Sequence, residues 1–126
     1  MKQSENNIVE LSHIWLYVKD TSISVKFYRD IVGFEVAETF PDGALFQTGS
    51  ILLGIHREKG DRKCQPGSTV LILRTINIDR TYKEFKSKGL IFSSEIKQEP
   101  YGKITSFKDP DGYSWELVEE PNSSDQ

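Results

Sequence analysis

The chain has 126 residues, of which 37% are hydrophobic and 28% are charged, a composition typical of one soluble globular domain. A net charge of -3 leaves no basic surface for neutralising phosphates, which argues against a nucleic-acid partner. No apolar run is long enough to cross a bilayer, and residues 1–10 lack the basic start and apolar core of a secretion signal. We therefore expect a cytoplasmic protein without a membrane partner. The single cysteine, Cys64, excludes an intrachain disulfide and a thiolate metal cluster.

Aliphatic and ring-bearing residues alternate along the first predicted strand, 9–19. The aliphatic side chains share one face, which suits a covering helix. The opposite face carries an imidazole, an indole and a phenol, from His13, Trp15 and Tyr17. Such a face suits a cavity that holds polar atoms, although a lone histidine is also common as an ordinary core or surface residue.

The two halves of the chain repeat one order of elements. In the first half a helix over 20–32, with Asp20 as N-cap and Gly33 as its end, precedes three short strands. The predicted elements after this helix are strands at 34–40, 44–48, 50–56 and 68–73, a helix at 77–88 and strands at 90–96, 103–108 and 113–119. This repeat predicts an α+β fold of two βαβββ modules. The predicted segments are module one at 9–57, a linker at 58–67, module two at 68–120 and flexible ends at 1–8 and 121–126.

The last predicted strand carries a carboxylate among apolar residues. This strand follows a turn built by Asp109, Pro110, Asp111 and Gly112. Because side chains alternate, Glu116 lies on the strand face opposite its two apolar neighbours in sequence. Burying a carboxylate there costs free energy unless a cation, a metal or hydrogen bonds compensate its charge. The alternative is an edge strand with Glu116 in solvent.

Two sequence motifs resemble those of the vicinal oxygen chelate superfamily. The chain opens with His-Ile-x-Leu-x-Val-x-Asp followed by Phe-Tyr, and it closes with Phe-x-Asp-Pro-Asp-Gly-x-x-x-Glu-Leu. The matching residues span roughly 9 to 120 and are His13, Val18, Asp20, Phe27, Tyr28, Gly33, Phe34, Asp109, Pro110, Asp111, Gly112, Glu116 and Leu117. The superfamily contains glyoxalase I, extradiol dioxygenases, fosfomycin-resistance enzymes and bleomycin-resistance proteins.

The resemblance implies cupped sheets whose concave side holds a divalent metal, ligated from the first and last strand of each module. His13 and Glu116 fill two of the four family positions, while Ser68 and Gly54 stand where a histidine and a carboxylate are usual. His56 lies two residues beyond Gly54 on the same face, and the missing side chain at Gly54 leaves room for its imidazole. The set of His13, His56 and Glu116 then matches sites for iron, manganese, nickel or zinc. The alternative places His56 in solvent at the strand end.

Two classes of function follow from the resemblance. The first is a divalent-metal-dependent enzyme, a lyase, isomerase or ring-cleaving dioxygenase acting on a small substrate with vicinal oxygens, with Glu116 and His56 as catalytic residues. The second is a metal-free small-molecule binding protein of the bleomycin-resistance type. In both, the expected pocket walls are Trp15, Tyr17, Phe46 and Tyr101. The resemblance also implies a homodimer in which the cups are completed across a two-fold interface.

Overall fold

A computed structural model describes residues 7–121, so the predicted flexible ends lie almost wholly outside the described residues. Both halves have the order strand, helix, strand, strand, strand. The first module contains β1 (His13–Val18), α1 (Thr21–Lys26), a π-helical segment (Phe27–Val32), β2 (Glu35–Phe40), β3 (Gly43–Gln47) and β4 (Leu52–Arg57). The second contains β5 (Val70–Arg74), α2 (Ile78–Ser87), β6 (Lys97–Glu99), β7 (Gly102–Lys108) and β8 (Ser114–Glu119).

Each module forms a four-stranded mixed sheet. The strand orders are β1-β4-β3-β2 and β5-β8-β7-β6, so the two sheets have the same topology. The first and last strands of each module run parallel, and the other neighbours are antiparallel. The predicted α+β fold of two βαβββ modules is confirmed. Between Asn7 and Pro121, none of the helices has both the length and the apolar character to span a membrane.

The strand predicted over 90–96 is wrong. Within that stretch only Phe92 makes a bridge, to Phe107, and the paired strand β6 begins at Lys97. The apolar residues there pack as an irregular segment, with Leu90 buried in the core and the Phe92 ring 5.8 Å from that of Phe107. An apolar run can fill a core without joining a ladder, which the sequence pattern alone does not reveal.

The first helix changes its geometry half-way along. Asp20 caps its start by accepting the backbone N–H groups of Ser22 and Ile23, as predicted. From Phe27 the turns widen, and the N–H of Gly33 donates to the carbonyl of Tyr28, five residues back, at 3.0 Å. Gly33 ends the segment with a φ of 90°, which suits a residue without a β-carbon.

One hydrophobic core serves both modules. Leu16 and Val18 of β1 belong to it, as do Trp115 and Leu117 of β8, and Tyr28 of the π-helical segment packs between the sheets. Because side chains alternate along a strand, the other face of each sheet turns away from this core. We call these two outward faces the open face of module one and the open face of module two.

The turn before β8 joins the two modules through a buried network of hydrogen bonds. The Tyr28 hydroxyl donates to Asp109 Oδ2 at 2.5 Å and accepts from Trp115 Nε1 at 3.0 Å. Asp109 Oδ1 accepts from the backbone N–H groups of Asp111 and Tyr113, at 3.0 and 2.8 Å. Tyr28 is fully buried and Asp109 is 5% exposed, so these bonds replace hydration that burial removes.

The same turn also docks on the start of α1. Asp111 accepts from the backbone N–H of Lys19 at 3.1 Å and from the Ser24 hydroxyl at 2.9 Å. The Tyr113 hydroxyl donates to the backbone carbonyl of Tyr17 at 2.8 Å. The sequence motif that predicts a turn therefore also fixes the second module against the first.

The buried carboxyl of Asp109 makes the stability of the folded protein depend on pH. Burial raises the pKa of its carboxyl, although hydrogen bonds from Tyr28 and from the backbone oppose that rise. Because the folded state binds this proton more tightly, the contribution of Asp109 to stability is largest below its unfolded pKa of about 3.9 and falls as the pH rises through the folded pKa.

We expect the wild type to lose stability relative to Asp109→Asn as the pH rises from about 4. The variant also deprives the Tyr28 hydroxyl of its acceptor, but that cost does not vary with pH over this range. Urea unfolding of both proteins at a series of pH values measures the difference. A difference that stays constant, or one that grows in favour of the wild type as the pH rises, contradicts the prediction.

Candidate functional site

The open face of module one carries a cluster of rings, which we call the aromatic face. Its members come from β1, from the end of β2 and from β4, and they are His13, Trp15, Tyr17, Phe40 and His56. The Trp15 ring centroid lies 5.4 Å from that of His13, 5.8 Å from that of Phe40 and 5.4 Å from that of His56. All three contacts are edge-on, an arrangement that aromatic quadrupoles favour.

Gly54 makes room for the indole of Trp15. The parallel register of β1 and β4 places the two residues opposite each other. A β-carbon built at Gly54 would overlap the six-membered ring of Trp15, so the indole lies directly on the backbone of β4. This space was predicted to hold the His56 imidazole, but the indole fills it because Trp15 is the direct neighbour of Gly54. His56 instead lies beside Tyr17, with ring centroids 5.5 Å apart.

The backbone fixes the proton position on His56. Its Nδ1 lies 2.7 Å from the carbonyl oxygen of Arg57, which only accepts hydrogen bonds. Nδ1 therefore carries a proton, and in the neutral imidazole Nε2 keeps its lone pair. This is the arrangement that orients histidines for metal binding or proton transfer. His13 makes a different contact, with its Nδ1 2.9 Å from the Ser12 hydroxyl.

A cleft of about 480 Å³ opens beside the aromatic face. Trp15, Tyr17 and His56 line it, together with the tight turn at 59–62. Arg62 of this turn places its guanidinium carbon 5.9 Å from the centroid of the Tyr17 ring, and its Nη1 donates to the Tyr17 hydroxyl at 3.3 Å. The cleft thus combines an aromatic wall with a charged rim.

The tight turn at 59–62 belongs to the site although it was not predicted as part of it. Residues 59–62 were predicted to lie in a linker, whereas Lys59 and Arg62 pair as a bridge across a two-residue turn. The signal was present, because Gly60-Asp61 between two cationic residues matches a tight hairpin turn. Phe40 was also missed, although its alternation along β2 indicated the open face.

Two of the predicted wall residues lie elsewhere. Phe46 is fully buried, with its ring centroid 6.1 Å from that of Tyr28, because its position in β3 points it toward the shared core. Tyr101 lies immediately before β7 with 58% of its surface exposed, and it does not line the cleft. Trp15 and Tyr17 are the two residues of that set that line the cleft.

Glu116 lies on the open face of module two. The ladder places it beside Ile72 of β5 and Ser106 of β7. It is partly exposed, and no hydrogen bond or ion pair from residues 7–121 reaches its carboxylate. The Glu116 carboxylate is therefore solvated, which avoids the free-energy cost of burying an unpaired charge.

The three predicted metal ligands do not come together within one chain. Glu116 belongs to a different sheet from the histidines, and both open faces turn away from the shared core. Along the strands His13 and His56 are four residues apart in register, or about 13 Å, with Trp15 between them. In the part of the chain that is described, no group of three or more His, Cys, Asp or Glu residues is arranged to hold a metal ion. His13, His56 and Glu116 do not fit one metal ion in this arrangement.

The chain matches the family model of the glyoxalase/bleomycin resistance protein/dioxygenase superfamily over residues 10–117. The chain belongs to this superfamily. The match covers both modules, in agreement with the resemblance of the opening and closing motifs and with the two mixed sheets. Superfamily membership covers lyases, dioxygenases and binding proteins, so the site must decide between them.

The chain is similar to three further proteins, two of which have solved structures. YetH of Bacillus subtilis (strain 168), named as uncharacterized, is 26% identical over 124 residues, covering 89% of this chain and 99% of YetH. TnmS3, an antibiotic binding protein from Streptomyces sp. CB03234, has a TM-score of 0.74 at 22% identity, covering 90% of this chain and 98% of TnmS3. Lactoylglutathione lyase from Agrobacterium tumefaciens has a TM-score of 0.73 at 19% identity, covering 90% of this chain and 96% of the lyase. At these identities the two structures indicate the shared fold.

Proposed function

We propose that this protein binds a small, flat aromatic molecule on the aromatic face of module one. The observation that carries the proposal is the position of Trp15. Its indole lies on Gly54, is held by edge-on contacts with three rings and still lines the cleft. A ring fixed in this way offers a stacking surface without a further cost of ordering the side chain.

The size and chemistry of the cleft support this function. A volume of about 480 Å³ lies within the range of pockets that hold small molecules, roughly 300–1,000 Å³. Each stacked or edge-on aromatic pair contributes about 0.5–1.5 kcal/mol beyond the burial of its area. Trp15 and Tyr17 together supply two such surfaces for a flat ring system.

TnmS3 adds support from a protein of the same fold. It is an antibiotic binding protein, so a protein of this fold can bind a small molecule. Trp15 and Tyr17 of β1 and His56 of β4 line one cleft within a single chain. The binding role therefore needs only residues that one chain already brings together.

Isothermal titration calorimetry with 2-naphthamide tests the proposal. This neutral bicyclic probe should bind saturably, with one molecule per chain. The panel also includes an anionic and a cationic probe of the same ring system. If none of the three gives saturable binding, the proposal fails.

A metal-dependent lyase, isomerase or dioxygenase is the second candidate, and two observations favour it. The Nδ1–H of His56 is fixed by the Arg57 carbonyl, which leaves Nε2 free to bind a metal or a proton. Glu116 likewise has no partner among the described residues. In this alternative, Glu116 of a second chain would meet the aromatic face in a homodimer, and Trp15 would adopt another rotamer.

The exposed apolar side chains around Glu116 support such a homodimer. Val70 and Ile72 of β5 are 49% and 65% exposed on the open face of module two. Burying them against a second chain would remove apolar surface from water. The aromatic face of the other chain offers a complementary partner, with two imidazoles opposite one carboxylate.

The second candidate predicts that Ile72→Lys produces a monomer that also loses its metal. The introduced charge would have to be buried beside Val70 in the dimer, which costs several kcal/mol unless it is paired. Sedimentation equilibrium gives the mass, and metal analysis after dialysis against iron, manganese, nickel or zinc gives the metal content. Ile91→Lys is the matched control, because Ile91 is 87% exposed outside this face.

Glu116→Gln distinguishes the two requirements of this candidate, which are dimer formation and metal binding. The variant should stay dimeric but lose the metal, because its amide is a weaker ligand than a carboxylate. A parent protein that is monomeric at micromolar concentration, or a dimer without stoichiometric metal, contradicts the second candidate and leaves the binding role in place.

A further inference from the structure

Arg62 is the arginine that has no carboxylate partner among residues 7–121. All five arginines lie within residues 7–121, and four of them make ion pairs at 2.7 to 3.7 Å. These four pairs are Arg29 with Asp30, Arg57 with Asp42, Arg74 with Glu120 and Arg80 with Glu84. Arg62 instead lies over the Tyr17 ring and donates one hydrogen bond to its hydroxyl. Its remaining N–H donors are left for water or a ligand.

Backbone hydrogen bonds hold Arg62 at the rim of the cleft. The N–H of Lys59 donates to the carbonyl of Arg62 at 3.0 Å, and the N–H of Arg62 donates back at 2.8 Å. Gly60, with a φ of +59°, occupies the first position of the two-residue turn between them. The turn thus places two cationic residues, Lys59 and Arg62, beside the aromatic wall.

Resting on the proposed function, we propose that the ligand is a planar aromatic acid. Its ring lies against Trp15 and Tyr17, and its carboxylate binds the guanidinium of Arg62. A guanidinium matches a carboxylate with two parallel N–H donors, which a neutral polar group cannot use in the same way. The contact with the Tyr17 ring and the hydrogen bond to its hydroxyl hold the guanidinium at the cleft before binding, which lowers the cost of ordering it.

Asp61 is the charge that opposes this assignment. It lies in the same turn and also lines the cleft, so it repels an anion and attracts a cation. Two positive side chains, Lys59 and Arg62, outnumber it on this rim. A cationic aromatic ligand, seated by Asp61 and the rings, is the competing class.

A series of three probes with one ring system measures the charge preference. The probes are 2-naphthoate, 2-naphthamide and 2-naphthylmethylammonium, titrated by calorimetry at low and high salt. We expect 2-naphthoate to bind about five- to tenfold more tightly than 2-naphthamide at low salt, because its hydrogen bonds to Arg62 are charge-assisted. High salt should shrink this difference, since the rim is exposed to solvent.

Two variants and one control test which side chains cause the charge preference. Arg62→Gln should abolish the difference between the first two probes, because it removes the charge-assisted donors. Asp61→Asn should tighten binding of 2-naphthoate about two- to threefold, because it removes the opposing charge. Arg80→Gln is the matched control, since Arg80 pairs with Glu84 on α2, away from the cleft.

The outcomes separate this inference from the proposed function. If 2-naphthamide binds as tightly as 2-naphthoate, or if Arg62→Gln weakens both probes equally, the acid assignment is overturned and the aromatic site stands. Tightest binding of the ammonium probe overturns it in favour of a cationic ligand. If no probe binds, the proposed function itself fails.

Discussion

Tyr28→Phe should lower the free energy of unfolding by about 2–4 kcal/mol, the largest expected effect on stability. The change removes one hydroxyl and leaves two buried groups, Asp109 Oδ2 and Trp115 Nε1, without the partners they have now. Within the described residues no buried side-chain nitrogen or oxygen lacks a hydrogen bond, so the variant would create the first such defects. Urea unfolding followed by fluorescence measures the change.

Tyr82→Phe is the matched control for this experiment. Tyr82 is partly exposed on α2 and stacks on Phe92 with ring centroids 4.2 Å apart, and no residue between 7 and 121 hydrogen-bonds its hydroxyl. Removing that hydroxyl should change the free energy of unfolding by less than about 0.5 kcal/mol. Equal effects of the two substitutions would show that the network does not join the modules energetically.

Trp15→Ala should weaken binding of an aromatic ligand at least about 30-fold, equivalent to about 2 kcal/mol. The indole supplies the central surface of the aromatic face, and its loss also frees Phe40 and the two histidines from their edge-on contacts. Calorimetry with 2-naphthamide measures the affinity. The protein should stay folded, because Trp15 is only partly buried.

A conservative variant and a distant control complete this test. Trp15→Phe keeps a ring on Gly54 and should weaken binding less than about tenfold. Ile76→Ala should leave the affinity unchanged, because Ile76 is 99% exposed and lies outside the cleft. If Trp15→Ala binds the probe as the wild type does, the ligand does not contact the aromatic face.

Local signals predicted much of the fold. The order of elements was predictable from the Asp20 cap, the Gly33 end and the alternation along β1 and β8. Capping and alternation depend only on residues that are close together in the sequence. The π-helical turns and the irregular segment around Phe92 were missed. The π-helical turns carry Tyr28, which bonds to Asp109 and Trp115 of the other module, and Phe92 packs on the distant Phe107. No local pattern records such contacts.

The site was only partly accessible from the sequence. Alternation correctly grouped His13, Trp15 and Tyr17 on one face of β1, yet it does not tell which neighbour fills the space at Gly54. The position of the Glu116 face relative to the histidines depends on long-range packing through Tyr28 and Trp115. Arg62 was missed because a tight turn brings it over Tyr17, 45 residues earlier in the chain.

The two indole N–H signals of a ¹⁵N-labelled sample provide the most direct test of the aromatic site. The chain has two tryptophans, Trp15 in the cleft and Trp115 in the core with its Nε1–H bonded to Tyr28. The Trp15→Phe variant assigns the signals. Titration with 2-naphthamide should shift the Trp15 signal and leave that of Trp115 in place. A shift of the Trp115 signal alone, or no shift of either at saturating probe, would contradict binding on the aromatic face.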